Sequence, residues 1–431
     1  MIFNDIYIPV IKKKMQTLFK DYYFKLKIFI FFLLLVIIFY RSPHILLNGR
    51  FTAEEGWFWF RNSYIEGPIY GLFQVYWEVG YFNLWANIGS VLALIPSLDY
   101  APFATVYLSL SLKLFIIYYV LNTNSSFLIN IFYKILTCFI IILSPPMVPE
   151  IWLNTLNSQT YFGILTILVF FHINENKSFI DKTSPYMLLL GGLSTLYVCI
   201  LSPFFLIKYL ISKRKSDLKN FIFIAFATLV QSLILLYTKI NALEYGYRSH
   251  YSVEKIISYC YNVITKSLLG RETSQLIIKF IGDVDKYLIL SFFLIICIAV
   301  IFFIIKLTKN KKDDVLNFLI YFFIIESILV FIGSWFHQVQ GRYAVVPGIL
   351  LLFILIRLSQ SKVQILKFFS LFFLLFSLAA GSYEFKHNSK YPNFLICNNC
   401  PIWKNEIAKW EENKNYAIKI WHYPKRSMLL K

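Results

Sequence analysis

Residues 28–40 read IFIFFLLLVIIFY, an apolar run without a charge, and Lys12, Lys13, Lys14, Lys20, Lys25 and Lys27 precede it. A basic segment followed by an apolar one is the order of a membrane anchor whose basic flank stays in the cytoplasm. No small-x-small cleavage pattern follows it, so the sequence predicts an uncleaved anchor with a cytoplasmic N-terminus. Ten further apolar runs lie at about 102–121, 127–143, 160–173, 186–201, 203–211, 221–240, 287–305, 316–335, 344–356 and 365–381. Crossing a hydrocarbon core takes about 20 helical residues, somewhat fewer where flanking Lys and Arg snorkel. The expected fold is therefore an all-α polytopic membrane protein with about 11 transmembrane helices. The short fifth and sixth spans suit a partly re-entrant hairpin.

With these spans, the basic loops 208–219, 306–312 and 357–367 share the side of the N-terminus, as the positive-inside rule requires. The same parity places 41–101, 144–159, 241–286, 337–343 and the tail 382–431 outside, with an extracytoplasmic C-terminus. Residues 81–95 are nearly apolar enough to span, but Asn83, Asn87 and Ser90 recur at helical spacing and Pro96 ends the run. A span there would invert every later basic loop, so an outer-face juxtamembrane helix is expected instead. The chain then divides into a transmembrane domain, 1–381, and a short outer tail, 382–431.

Composition agrees with this reading. Of 431 residues, 58% are hydrophobic and 15% charged, and the mean hydropathy is +0.62. A soluble fold could not cover that much apolar surface. The formal charge of +19 lies in short segments between apolar runs, the pattern of orientation signals and not of nucleic-acid binding. Cys138, Cys199 and Cys297 fall within apolar runs, Cys260 in a loop, and Cys397 and Cys400 form a lone C-x-x-C. Without a second pair or a nearby His, that motif is no zinc site, and a local disulfide or two idle thiols is the expectation.

Three outer segments carry candidate chemistry. The first is Phe51-Thr52-Ala53-Glu54-Glu55-Gly56-Trp57, followed by Tyr76-Trp77-Glu78-Val79-Gly80-Tyr81. Acids near a membrane face are costly to desolvate and are paired, metal-bound or working; the plain alternative is a solvated pair beside Arg50 and Arg61. The second is Pro149-Glu150-Ile151-Trp152-Leu153-Asn154, where Glu150 is either a partner acid or a helix cap. The third is Gln340-Gly341-Arg342-Tyr343, where Arg342 is either an anion ligand or a snorkelling anchor. Arg248 and His250 are further candidates for an anion role. The sequence holds no Walker, Rossmann, H-E-x-x-H or G-x-S-x-G motif.

In Glu54-Glu55-Gly56, Glu78-Val79-Gly80-Tyr81 and Pro96 the chain resembles the GT-C superfamily, polytopic glycosyltransferases that use polyprenyl-phosphate sugars, and within it a bacterial branch. The resemblance extends to Glu150 with its Asn-rich sequel, to Arg342-Tyr343 before a late span, and to the short outer tail. It departs where Glu stands in place of a frequent Asp. What it implies is an inverting glycosyltransferase of the bacterial inner membrane, moving a sugar from a polyprenyl-phosphate donor to a hydroxyl of a lipid, glycan or protein acceptor on the outer face. Glu55, or its neighbour Glu54, is the expected base, and Glu150 an added metal or acceptor contact. Arg342 and Tyr343, with Arg248 and His250 behind them, are the expected lipid-phosphate ligands. A divalent cation, magnesium or manganese, is left open. Competing expectations are a transporter or flippase of lipid-linked saccharides and an O-antigen polymerase or ligase.

Overall fold

The computed structural model describes residues 2–78, 80–175, 178–241, 253–282, 313–334, 339, 341–387, 401–421 and 426–431. Helix makes up 76% of it, and the sheet is a two-stranded pairing of Ile418–Lys419 with Ser427–Met428. Five helices are long and apolar enough to cross a membrane: Asp21–Arg41, Leu98–Asn122, Lys215–Ile240, Asp314–Gly333 and Gln364–Phe385. Four apolar helices are shorter, Ile131–Leu143, Leu156–Phe171, Leu196–Ser212 and Val345–Leu358. The run at 287–305 lies outside the described residues. Among the described residues, five helices thus meet the length and apolarity needed for a crossing.

We number the helices used below α1 (Ile2–Arg41), α2 (Pro43–Asn48), α3 (Arg61–Glu66), α4 (Pro68–Phe73), α5 (Leu84–Leu92), α6 (Ala101–Asn122), α7 (Ile131–Leu143), α8 (Gln159–Phe171), α9 (Phe179–Gly192), α10 (Leu196–Cys199), α11 (Ser202–Ser212), α12 (Lys215–Ile240), α13 (Val253–Tyr259), α14 (Lys266–Leu269), α15 (Arg271–Gly282), α16 (Asp314–Gly333), α17 (Val345–Leu358), α18 (Gln364–His387) and α19 (Trp403–Glu412).

Two kinds of helix follow from two apolar patterns. Every residue of α8 from Thr160 to Phe171 is buried, and α17 is nearly as enclosed. A helix apolar on all sides belongs in the centre of a bundle. By contrast α1, α12, α16 and α18 expose apolar rows, such as Leu229, Leu233 and Leu236 of α12 or Phe368, Phe372 and Leu375 of α18. In water such rows would cost about 25 cal/mol per Å² of apolar surface. In lipid they cost nothing, so the exposed rows and the span lengths agree on a membrane protein. Helices α9 and α11, linked through the turn at 193–195 and α10, each pack against α12.

The loops sort into two ends through their own contacts. At one end Tyr133 Oη donates to Ser359 O, Gln360 Nε2 to Phe127 O, Lys208 Nζ to Phe170 O and His172 O, and Arg357 pairs with Asp313. This end carries the basic loops 208–219 and 357–367. At the other end the first loop, the 144–158 loop, Arg342 and the tail meet, as described next.

Candidate functional site

The first loop is built to bring its backbone against two distant segments. Ala53 adopts φ 48°, a left-handed conformation that strains a non-glycine residue, and so turns the chain sharply into the π-helical turn Glu55–Phe60. There Ala53 N donates to Trp421 O at 2.6 Å and Trp421 N to Phe51 O at 3.3 Å, tying the tail to the acidic segment. Gly56 lets the tail approach closely: a Cβ there would lie 2.9 Å from Ile420 Cδ1 and 3.0 Å from Phe51 Cβ. Phe51, Phe60, Trp403, Ile407, Ile418 and Ile420 share one apolar cluster, so the tail packs as part of this end.

A helix forms within the expected stretch 81–95, as α5, with Asn83 Oδ1 capping Ala86 N at 3.1 Å. Its polar stripe does not face water. Asn87 is fully buried and donates to Leu72 O and Gln74 O, Ser90 Oγ meets Ser63 Oγ at 2.8 Å, and Asn83 reaches Leu156 O. The stripe exists because the first loop folds over it, and the unsatisfied carbonyls at the end of α4 need donors. Gln231 of α12 completes the seating by bonding both the N and the O of Phe82.

The adjacent acids Glu54 and Glu55 have opposite surroundings. Glu55 is 1% exposed, and its Oε1 accepts from Thr155 N at 2.7 Å and Thr155 Oγ1 at 2.6 Å while Oε2 accepts from Thr52 N at 3.1 Å. Burial pushes its carboxyl above the ordinary value, against the Thr155 and Thr52 hydrogen bonds and the charge of Arg50. Burial likewise lowers Arg50, with Glu55 opposing. Glu55 therefore clamps the first loop to the second, across from Leu153, itself left-handed at φ 50°.

Glu54 instead lines a cavity of about 440 Å³. Around it the same cavity gathers Glu78, Arg342, Tyr343 and Arg426, with Trp57, Tyr76, Tyr81 and Tyr197 as aromatic walls. Gly80, at φ 73°, makes the turn that sets Tyr76 and Tyr81 side by side in a bridge, and Gly80 N donates to Tyr76 O at 2.9 Å. Polar groups come from Asn157, Gln159 and Thr160 of the second loop and from Thr195 between α9 and α10.

Glu150 sits at the edge of this arrangement, where Arg342 Nη1 donates to its Oε1 at 2.7 Å and Arg342 Nη2 to Tyr343 Oη at 3.3 Å. Burial draws Arg342 down, but Tyr343, Glu150 and Glu54 outweigh it and hold the guanidinium above its ordinary value, firmly charged. Arg426 Nη2 stands 3.6 Å from Glu54 Oε1. Burial raises the Tyr81 phenol, and Gln159 Nε2 donates to it at 3.3 Å.

The structure thus brings Glu54, Arg342, Tyr343 and Glu150 together and sets Glu55 behind the wall as a brace. Arg248 and His250 lie outside the described residues, as do Cys397 and Cys400. Sequence reasoning gave no role to Glu78, Arg426, Tyr81 and Tyr197, although Glu78 and Tyr81 stand in a motif quoted above. The Gly80 turn was a usable signal for the first and third; Arg426 and Tyr197 had none. Among the described residues no group of three or more His, Cys, Asp or Glu is placed to hold a metal. Glu54 and Glu78 do offer the one or two carboxylates that a largely hydrated magnesium uses beside a phosphate. Compared with known proteins, the chain matches no family model, no curated protein and no solved structure.

Proposed function

We propose that the chain is a GT-C-like inverting glycosyltransferase that takes a sugar from a polyprenyl-phosphate carrier in this cavity. The observation that carries the reading is one aromatic-walled cavity holding two carboxylates and two guanidinium groups at the loop end of a membrane bundle. Aromatic faces and scattered amides suit a sugar ring, and planar guanidinium forks suit phosphate oxygens. In the proposed step Glu54 takes the proton of the acceptor hydroxyl as that oxygen bonds to the anomeric carbon. The bond from that carbon to the phosphate oxygen breaks, and polyprenyl phosphate leaves with the electron pair, its charge held by Arg342 and Arg426. Glu54 replaces Glu55 as the favoured base, because every hydrogen bond of Glu55 is turned to the protein. A cation held by Glu54 and Glu78 would add Lewis-acid charge stabilisation.

Eleven crossings, a cytoplasmic N-terminus and an extracytoplasmic cavity and tail are part of the proposal, supported by the gathering of Lys208, Lys213, Arg214, Arg357 and Lys362 at the opposite end. The membrane proposed is a bacterial inner membrane. One observation favours the transporter reading instead: Glu326 of α16 is fully buried and, among the described residues, neither carboxylate oxygen has a hydrogen-bond partner. The two readings separate in one experiment. Purified protein, incubated with a short-chain polyprenyl-phosphate sugar and an acceptor glycan, should release polyprenyl phosphate and give product of inverted anomeric configuration. Carrier movement across a vesicle without sugar release would establish the transporter instead.

A further inference from the structure

Behind the second loop, away from the cavity, lies a second concentration of positive charge. Arg41 ends the outer part of α1 and is 6% exposed; Lys113 lies midway along α6 and is 1% exposed. They bracket the indole of Trp152. Lys113 Nζ is 3.3 Å from the Trp152 ring centre and 4.6 Å from that of Tyr161, and Arg41 Cζ is 4.7 Å from Trp152 and 3.1 Å from Phe385. None of the three guanidinium nitrogens of Arg41 has a hydrogen-bond partner, nor has Lys113 Nζ, Trp152 Nε1 or Tyr161 Oη. These four neighbouring side chains thus hold six buried donor atoms, and among the described residues no acceptor answers them.

That arrangement is not self-sufficient. Buried charge is tolerated when it is paired, and leaving it unpaired is strongly unfavourable. A guanidinium does not escape by losing its proton. Attraction to the faces of Trp152 and Phe385 recovers only a small part of the desolvation, and Arg41 and Lys113 also repel each other. What the cluster lacks is a compact anion with several acceptor oxygens, the chemistry of a phosphate group.

We propose that Arg41, Lys113, Trp152 and Tyr161 form a resident phosphate site, distinct from the cavity, none of whose lining residues it shares. The route in is from the bilayer. Among the described long helices α1 is the least enclosed, and beside Arg41 the side chains of Phe39 and Tyr40 are exposed. An anionic phospholipid headgroup and free inorganic phosphate carry the same chemistry, and the experiment distinguishes them. Trp152 lies between Glu150, which pairs with Arg342, and Thr155, which holds Glu55, so an occupant would steady the loop that forms one wall of the cavity.

The test uses full-length protein purified in detergent and exhaustively delipidated in phosphate-free buffer. Thermal unfolding is followed with sodium phosphate against sodium chloride at matched ionic strength, and in nanodiscs of phosphatidylglycerol against phosphatidylcholine, with bound phosphorus counted per chain. A rise in midpoint with phosphatidylglycerol and about one retained phosphorus identifies a lipid headgroup; a rise with inorganic phosphate identifies the free anion. In Lys113→Met the affinity should fall by about tenfold or more, the loss of one charge-assisted contact, whereas Lys219→Met, which removes an exposed charge at the basic end, should bind as the wild type does. No stabilisation of the wild type by either source, stabilisation equalled by chloride, or a loss in Lys219→Met with Lys113→Met unaffected would each overturn the proposal. If Lys113→Met does not fold, Tyr161→Phe, which removes one unpartnered donor and keeps the ring, should weaken binding several-fold, and wild-type affinity in it would overturn the proposal.

Discussion

Carboxylates meet basic side chains at both ends of the bundle, but they are engaged differently. At the basic end Asp181 meets His172 Nε2 at 2.5 Å and also closes a capping box with Ser178, Asp313 meets Arg357 and caps Leu316 N, and Asp217 meets Lys208 while accepting from Ser212 Oγ. Each holds a helix start or a turn in place as well as a charge. At the cavity end Glu54 caps nothing and stands 3.6 Å from Arg426, and Glu150 gives its side chain to Arg342. A carboxylate locked into a helix start is structural, whereas one that holds only a half-exposed arginine is free to exchange it for a ligand. Glu55 belongs with the first kind although it sits at the second end.

The sharpest break in that comparison comes from Glu54→Gln. If Glu54 is the base, the amide keeps its size while removing the proton acceptor, and transfer should fall by roughly a hundredfold or more. Folding should be unchanged, because no capping bond is lost. Unaltered sugar transfer by the purified variant would move Glu54 to the structural group and remove the base from the mechanism.

Next in size is Arg342→Lys. An ammonium cannot reproduce a fork that reaches Glu150 and Tyr343 together, so carrier affinity should drop by roughly ten- to a hundredfold, the worth of one or two charge-assisted bonds. Titration of a carrier-phosphate analogue into the variant measures it. Wild-type affinity would make Arg342 an interfacial anchor and leave the phosphate to Arg426.

How much of this was legible in the sequence follows from the range of the forces involved. The long apolar runs are local, so α1, α6, α12, α16 and α18 stand where hydropathy put them. The stripe of Asn83, Asn87 and Ser90 was legible as a stripe, but periodicity does not say what it faces, and the first loop covers it. Which of two adjacent glutamates meets the cavity depends on the left-handed Ala53 and a π-helical turn, neither of which has a sequence period. Arg426 arrives through a tail seated by backbone pairing to Phe51 and Ala53, a contact invisible without the fold.

Glu55→Gln should act on stability instead of turnover. One oxygen of the amide can still accept from Thr155, but its nitrogen then faces Thr52 N, donor against donor, leaving a buried group unsatisfied at about 1–3 kcal/mol. Burial raises the Glu55 carboxyl, so its folded-state value lies above the unfolded one. Its contribution is therefore greatest in acid and is lost as pH rises through the folded value. The destabilisation by Gln should accordingly be largest at low pH and narrow toward neutrality. Chemical unfolding of both proteins across that range would show it, and a gap that widens with pH would contradict the assignment.

The smallest effect, and the one that isolates charge from capping, is expected of Asp313→Asn at the basic end. Asp313 does two things: its Oδ1 accepts from Leu316 N at 3.1 Å at the start of α16, and both of its oxygens accept from Arg357 Nε, at 2.9 and 3.2 Å. Asn caps a helix about as well as Asp, so the substitution keeps the cap and removes the charge. The pair is only partly shielded, with 20% of the Arg357 side chain and 26% of the Asp313 side chain exposed, so solvent already screens it. An ion pair of this kind contributes about 0.2–1 kcal/mol, and Arg357 retains Gln360 Oε1 at 3.2 Å as a partner after the change. Asp313→Ala removes the cap as well and should cost about 1 kcal/mol more. If Asn proves as damaging as Ala, charge and not capping holds this end, and the distinction between carboxylates locked at helix starts and those free to exchange a partner fails where it is most directly measurable.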